Sequence, residues 1–217
     1  MNTILDFFLH LDKHLGAVIS EYGGWTYGIL FAIIYAETGF VVTPFLPGDS
    51  LLFIAGTFAA TGALNIWYLC PLLIAAALLG NTTNYWIGHK IGSRVFEEPR
   101  PRWAKKEYFD KTHAFYEKYG GKTIIIARFV PIVRTFAPFV AGVGKMTYLK
   151  FESYDLVGGT VWVLICCLAG YFFGNLPFVQ NNFSVVILAI IAISIAPAAV
   201  EFIRHNLNNR KQSDGAA

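Results

Sequence analysis

Apolar residues fill four long stretches of the chain: Trp25 to Phe40, Leu51 to Ile87 with Asn65 inside it, Val157 to Phe173, and Phe183 to Val200. A membrane-spanning helix needs roughly 20 mostly apolar residues, so some of these stretches cross a bilayer alone and others are too short or broken. Ahead of them, Ile4, Phe8, Leu11, Leu15, Val18 and Tyr22 share one helical face, away from Asp6, Asp12 and Lys13. That spacing predicts an amphipathic helix over 1–24, lying in the membrane interface or packed on the body. The start lacks the basic-then-apolar order of a cleavable signal peptide.

Two polar interruptions stand out. Between Glu21 and Lys90 the only formally charged residues are Glu37 and Asp49. Pro44, Pro47 and Gly48 lie between them and end any helix carrying the chain straight through. Between Lys122 and Lys145 the only charges are Arg128 and Arg134, with Pro131 between them. An ionisable residue in an apolar setting is a functional candidate by default.

The two regions are related by internal repetition. Tyr22-Gly23-Gly24 returns as Tyr119-Gly120-Gly121, a shift of 97, which also sets Arg134 on Glu37. Pro44-Phe45 returns as Pro138-Phe139 with Gly142 after it, a shift of 94. Tyr85-Trp86-Ile87-Gly88 resembles Tyr171-Phe172-Phe173-Gly174. The expected hairpin turns are therefore Pro44, Pro47 and Gly48 in one copy, and Pro131, Pro138 and Gly142 in the other.

Charge sets the orientation. Lys and Arg gather on the cytoplasmic side of membrane proteins, and nine of them between Lys90 and Lys122 make segment 89–122 basic. The tail, with Arg204, Arg210 and Lys211, belongs on the same side, whereas Asn175 to Asn182 is uncharged and faces outward. Since Lys145 and Lys150 also read as cytoplasmic, 123–144 enters and leaves from inside, and 25–62 by repetition does so from outside. The expected fold is all-α and integral to the membrane, an inverted repeat with two oppositely inserted re-entrant hairpins. Three full spans, 66–88, 151–174 and 183–203, complete one domain, and 204–217 forms a cytoplasmic tail. The alternative leaves 25–62 as two short conventional spans, with its turn at the membrane surface.

Composition agrees: of 217 residues, 55% are hydrophobic and only 14% charged, against about 25% charged in soluble domains. Three cysteines in apolar runs and five scattered histidines form neither a disulfide framework nor a metal pattern. No metal or cofactor is expected. Acids dilute the basic segment, so lipid headgroups fit it better than nucleic acid. No nucleophile–base pairing or phosphate-cradling glycine loop is visible, which speaks against an enzyme.

At the hairpins, Asp49 suits a helix N-terminus, where it stays ionised. Desolvation favours the neutral form of Glu37, which makes it the candidate proton carrier. Arg128 and Arg134 hold their charge and present forked donors suited to phosphate or carboxylate oxygens. Trp162 reads as packing. Pairing of acids with arginines simply to pin the hairpins together is the competing interpretation.

The Glu-Thr-Gly-x-x-x-Thr-Pro-Phe-Leu-Pro-Gly-Asp-Ser-Leu stretch from Glu37, with Ala-Arg-Phe-Val-Pro-Ile-Val-Arg-Thr-Phe-Ala-Pro-Phe-Val-Ala-Gly from Ala127, resembles the bacterial DedA family. The resemblance implies an inner-membrane protein with paired re-entrant hairpins, linked to envelope integrity and to transport dependent on the proton-motive force. It also implies functional acids at Glu37 and Asp49 and functional arginines at Arg128 and Arg134. Members of the wider superfamily are implicated in moving undecaprenyl phosphate or phospholipids across bilayers. The expected function is thus proton-linked lipid translocation, with membrane lipid and protons as partners. The alternatives are a proton-coupled exporter of small cations or amphipathic drugs, and an envelope scaffold that transports nothing.

Overall fold

The computed structural model describes residues 11–40, 48–96, 121–128, 131–182, 185–186 and 188–190. Its elements are α1 (Leu11–Tyr22), α2 (Trp25–Gly39), α3 (Gly48–Ala60), α4 (Ile66–Phe96), α5 (Lys122–Ala127), α6 (Pro131–Val143), α7 (Tyr148–Phe173) and α8 (Pro177–Asn181). Among the described residues the fold is all-helical. Two of the described helices are long and apolar enough to cross a membrane, over Ile66–Gly92 and Tyr148–Phe173. Gly48–Ala60 and Val133–Val143 are apolar but shorter. At 15 residues, α2 is also short; it extends roughly 22 Å at 1.5 Å per residue, less than a hydrocarbon layer of about 30 Å.

Contacts fix the direction of each helix. The two long helices cross in opposite senses, with Thr82 on Glu152, Asn81 on Asp155 and Leu78 near Gly159. α2 runs alongside α4 in the same sense: the Tyr27 hydroxyl accepts from the Asn65 amide, and Asn84 donates to the Thr38 carbonyl. α3 reverses and follows α7, from Asp49 at Trp162 to Thr57 at the Gly170 carbonyl. α5 also follows α7, with Gly121 against Tyr154 and Ile125 against Gly158. α6 reverses again and follows α4, through Thr135 at Asn84 and Val143 at Gly92. Each interrupted pair thus sends one arm along each long helix.

Glycines set how closely the arms approach. A Cβ on Gly56 or Gly170 would overlap backbone of the facing helix, at Cys167 and Phe53 respectively. One on Gly88 or Gly142 would overlap backbone at Phe139 and Tyr85. Small residues of this kind let membrane helices pack backbone to backbone.

Two apolar cores flank a polar layer. Toward one end, Leu30, Ile34, Leu52, Leu69, Leu73 and Val163 form the larger core, onto which Leu15 of α1 docks. Toward the other end, Tyr85, Ile124, Ala141, Met146 and Phe151 form the smaller one. The ends differ at the surface as well. Trp25, Trp67, Tyr68, Phe172, Phe173 and Phe178 are exposed at the first; Lys90, Lys122, Lys145 and Lys150 are exposed at the second.

Several turn assignments need correction. Pro131 stands at the far edge of its break: α5 stops at Ala127 and α6 starts at Pro131, the position where a proline's missing N–H costs least. Pro138 is no turn residue, because it lies within α6. Gly142 occupies the last turn of α6 and serves close packing on α4. Gly48 does open α3, while Pro44 and Pro47 lie outside the described residues. So do residues 1–10, 97–120 and 191–217, which hold most of the basic segment, most of the expected third span and the tail.

Gly142→Ala and Gly170→Ala should each destabilise the protein by about 1–3 kcal/mol through overpacking. Gly28, which has open space where a Cβ would sit, is the control. Gly28→Ala should be neutral or stabilising by about 0.5–1 kcal/mol. Unfolding in detergent micelles checks the contrast.

Candidate functional site

The polar layer sits where the long helices cross and where both interrupted pairs break. Glu37 lies in the last turn of α2 and Asp49 in the first turn of α3. One guanidinium holds both. Arg134 of α6 donates from Nη2 to Glu37 Oε1 at 2.7 Å and from Nη1 to Asp49 Oδ1 at 2.5 Å. The planar fork of arginine suits such double engagement. The Gly48 amide adds a longer hydrogen bond of 3.3 Å to Glu37 Oε1, and a Cβ at Gly48 would overlap that carboxylate. The start of α3 is therefore shaped around Glu37, and it offers Asp49 the positive end of a helix dipole.

A second ionic unit lies beside the first. Arg128, in the turn after α5, donates from Nη2 to Asp155 Oδ1 at 2.6 Å, and both residues are buried. The same oxygen accepts from Asn81 Nδ2 at 2.8 Å. Gly158 and Gly159 leave room for the arginine, since a Cβ on Gly159 would stand 2.8 Å from Arg128 Nη2. Trp162 joins the two units. Its indole N–H donates to Asp49 Oδ1 at 2.8 Å. Its ring lies 5.7 Å from Arg128 Cζ and 4.9 Å from Arg134 Cζ, within cation–π range. Asn84 bridges the Thr38 and Thr135 carbonyls, tying α2 to α6.

Glu37, Asp49, Arg128 and Arg134 thus converge, but not as two acids facing two arginines. Arg134 takes both acids, and Arg128 takes Asp155, which lay unremarked near the start of an expected span. The rule that singled out Glu37, a carboxylate bordering an apolar run, applies equally to Asp155. Asn81 and Asn84, three residues apart within an apolar helix, were a weaker signal. Trp162 is more than packing, because its N–H is spent on Asp49. When all are ionised, the described layer carries three carboxylates against two guanidinium groups. Glu37 Oε2 and Asp155 Oδ2 are buried without a hydrogen-bond partner.

The profile of the VTT domain matches residues 43–172, which include Asp49, both arginines, Asp155 and Trp162. Over 204 residues the chain is 53% identical to Protein DedA of Escherichia coli K12, covering 93% of each chain. The chain belongs to the DedA (VTT-domain) family. An uncharacterized membrane protein of Mycobacterium tuberculosis strain H37Rv is 47% identical over 191 residues, 86% of this chain and 83% of its own. Inner membrane protein YqjA of E. coli K12 is 33% identical over 154 residues, 71% and 70% of the two chains. No solved structure matches the chain significantly. Family membership and the two long apolar helices make this a membrane protein.

Arg134→Ala would leave the buried Glu37 carboxylate without its cation and weaken the hold on Asp49, so stability should fall by about 3–5 kcal/mol. Adding Glu37→Gln and Asp49→Asn should restore much of that loss. Denaturant titration in detergent measures both steps.

Proposed function

We propose that this protein is a multi-pass inner-membrane transporter that moves a phosphate-bearing lipid, undecaprenyl phosphate or a phospholipid, across the bilayer in a proton-linked cycle. One observation carries the reading: buried Arg128 and part-buried Arg134 are both held by carboxylates that a proton can neutralise. A lipid phosphate offers a guanidinium the same oxygen geometry as a carboxylate. To bind, it must displace Glu37 and Asp49 from Arg134, or the partner of Arg128. Protonation of those acids weakens their hold and frees the fork for phosphate. Competition for one cation therefore links lipid to protons, with no covalent step.

The breaks in α2–α3 and α5–α6 are then the tips of two re-entrant hairpins inserted from opposite faces. The helix directions support this, as does a correspondence between three packing contacts. Phe53 at Gly170 matches Phe139 at Gly88, Gly56 at Cys167 matches Gly142 at Tyr85, and Thr57 at Gly174 matches Val143 at Gly92. In every case the arm residue shifts by 86 and the long-helix residue by 82. An inverted repeat produces such a pattern. Broken backbone at membrane depth is tolerated where protein buries it or where it lines a wet cavity. The lysine-bearing end is cytoplasmic and the aromatic end outer, with the C-terminus returning to the cytoplasm.

A second reading draws on the surplus carboxylate: the acids would bind a small cation or cationic drug for export. Transport assays separate the two. In proteoliposomes with an imposed pH gradient, the protein should accelerate flipping of labelled undecaprenyl phosphate, and Arg128→Ala with Arg134→Ala should return it to the protein-free rate. Undiminished flipping by that double variant overturns the headgroup role. Cation efflux that survives the arginine changes but is lost in Glu37→Gln supports export instead.

A further inference from the structure

Asp155 differs from the other two acids of the layer. It comes from a full-length helix, not from an interrupted pair, and it is only 1% exposed. Its oxygens are unequal: Oδ1 takes both Arg128 and Asn81, whereas Oδ2 is buried without a partner. Glu37 and Asp49 share their cation with each other, but among the described residues Asp155 has Arg128 alone. Other groups around it offer no substitute. α4 brings the neutral Asn81 and Thr82, and α6 brings Arg134, which is committed to Glu37 and Asp49. On its own helix stand Glu152 and Tyr148, both acidic groups.

Resting on the phosphate-lipid reading, we propose that Asp155 is a further proton-carrying residue of the site, loaded from the lysine-bearing end when a phosphate takes Arg128. Once Arg128 turns to phosphate, Asp155 keeps a single neutral donor in an apolar interior. An unpaired buried carboxylate there is costly. One proton from water then adds to the carboxylate and gives the neutral acid, with Oδ2 the open position. Polar groups continue from Asp155 toward the lysine-bearing end. Half-buried Glu152 lies about one helical turn away, and Thr82 reaches its Oε2 at 3.1 Å and the Tyr148 hydroxyl at 3.3 Å. Toward the aromatic end the path closes on Leu73, Val163 and Cys167. Phosphate binding and proton uptake at Asp155 are thus one linked equilibrium.

Calorimetry of the full chain in nanodiscs with farnesyl phosphate, in buffers of differing ionisation enthalpy, counts the protons taken up per phosphate bound. Asp155→Asn should still bind and should take up about one proton fewer than wild type; Asp155→Glu should match wild type. Should a lone Arg128 disturb the folding of Asp155→Asn, Asp155→Ser, whose hydroxyl still accepts from Arg128, serves instead, and it too should lose about one proton. An unchanged count in the folded neutral variant, Asp155→Asn or Asp155→Ser, overturns the role of Asp155 while leaving the phosphate reading intact. If wild type binds no farnesyl phosphate, the phosphate reading falls and takes this inference with it.

Discussion

A single guanidinium shared by two carboxylates joins the two interrupted helix pairs. Arg134 lies on α6, and its partners close α2 and open α3. In apolar surroundings none of the three charges can be left alone, so the position of each helix end depends on the others. The net worth of such a bridge against a well-packed apolar core is small. Its structural consequence lies in what it forbids: neither break can drift without exposing a charge to hydrocarbon.

That constraint makes sense of the layering. Apolar cores above and below the ionic layer keep the interaction in a low dielectric, where electrostatic terms are strong. The glycines that bring α3 onto α7 and α6 onto α4 let the arms pack backbone to backbone beside the two central helices. Charge pairing at the centre and small-residue packing along the arms are therefore complementary. One sets where the breaks meet, and the other lets the helices come close enough for the meeting to occur.

The two arginines are not equivalent. Arg134 is held by two acids from one helix pair, and Arg128 by one acid from a long helix with an asparagine from the other. Trp162 touches both units, one ring lying within cation–π range of both guanidinium groups. Every described ion-pair partner of the two guanidinium groups is a carboxylate, whose charge a proton can remove without removing the side chain.

The amino-acid order by itself determined the membrane class, the two breaks and the four charges that meet between them. These are local properties: runs of apolar residues, helix-breaking prolines and glycines, and ionisable groups stranded among hydrophobic neighbours. Tertiary structure alone decided the pairing. Asp155 finds Arg128, Asn81 joins them and Trp162 serves Asp49 only because α4 and α7 cross at that height. Pro138-Phe139 looks like Pro44-Phe45 in chemistry, yet Pro138 lies inside a helix rather than at a turn. Similar residue words report local preference, whereas equivalence in a fold is defined by which backbones touch, and that depends on how separate helices are packed in space.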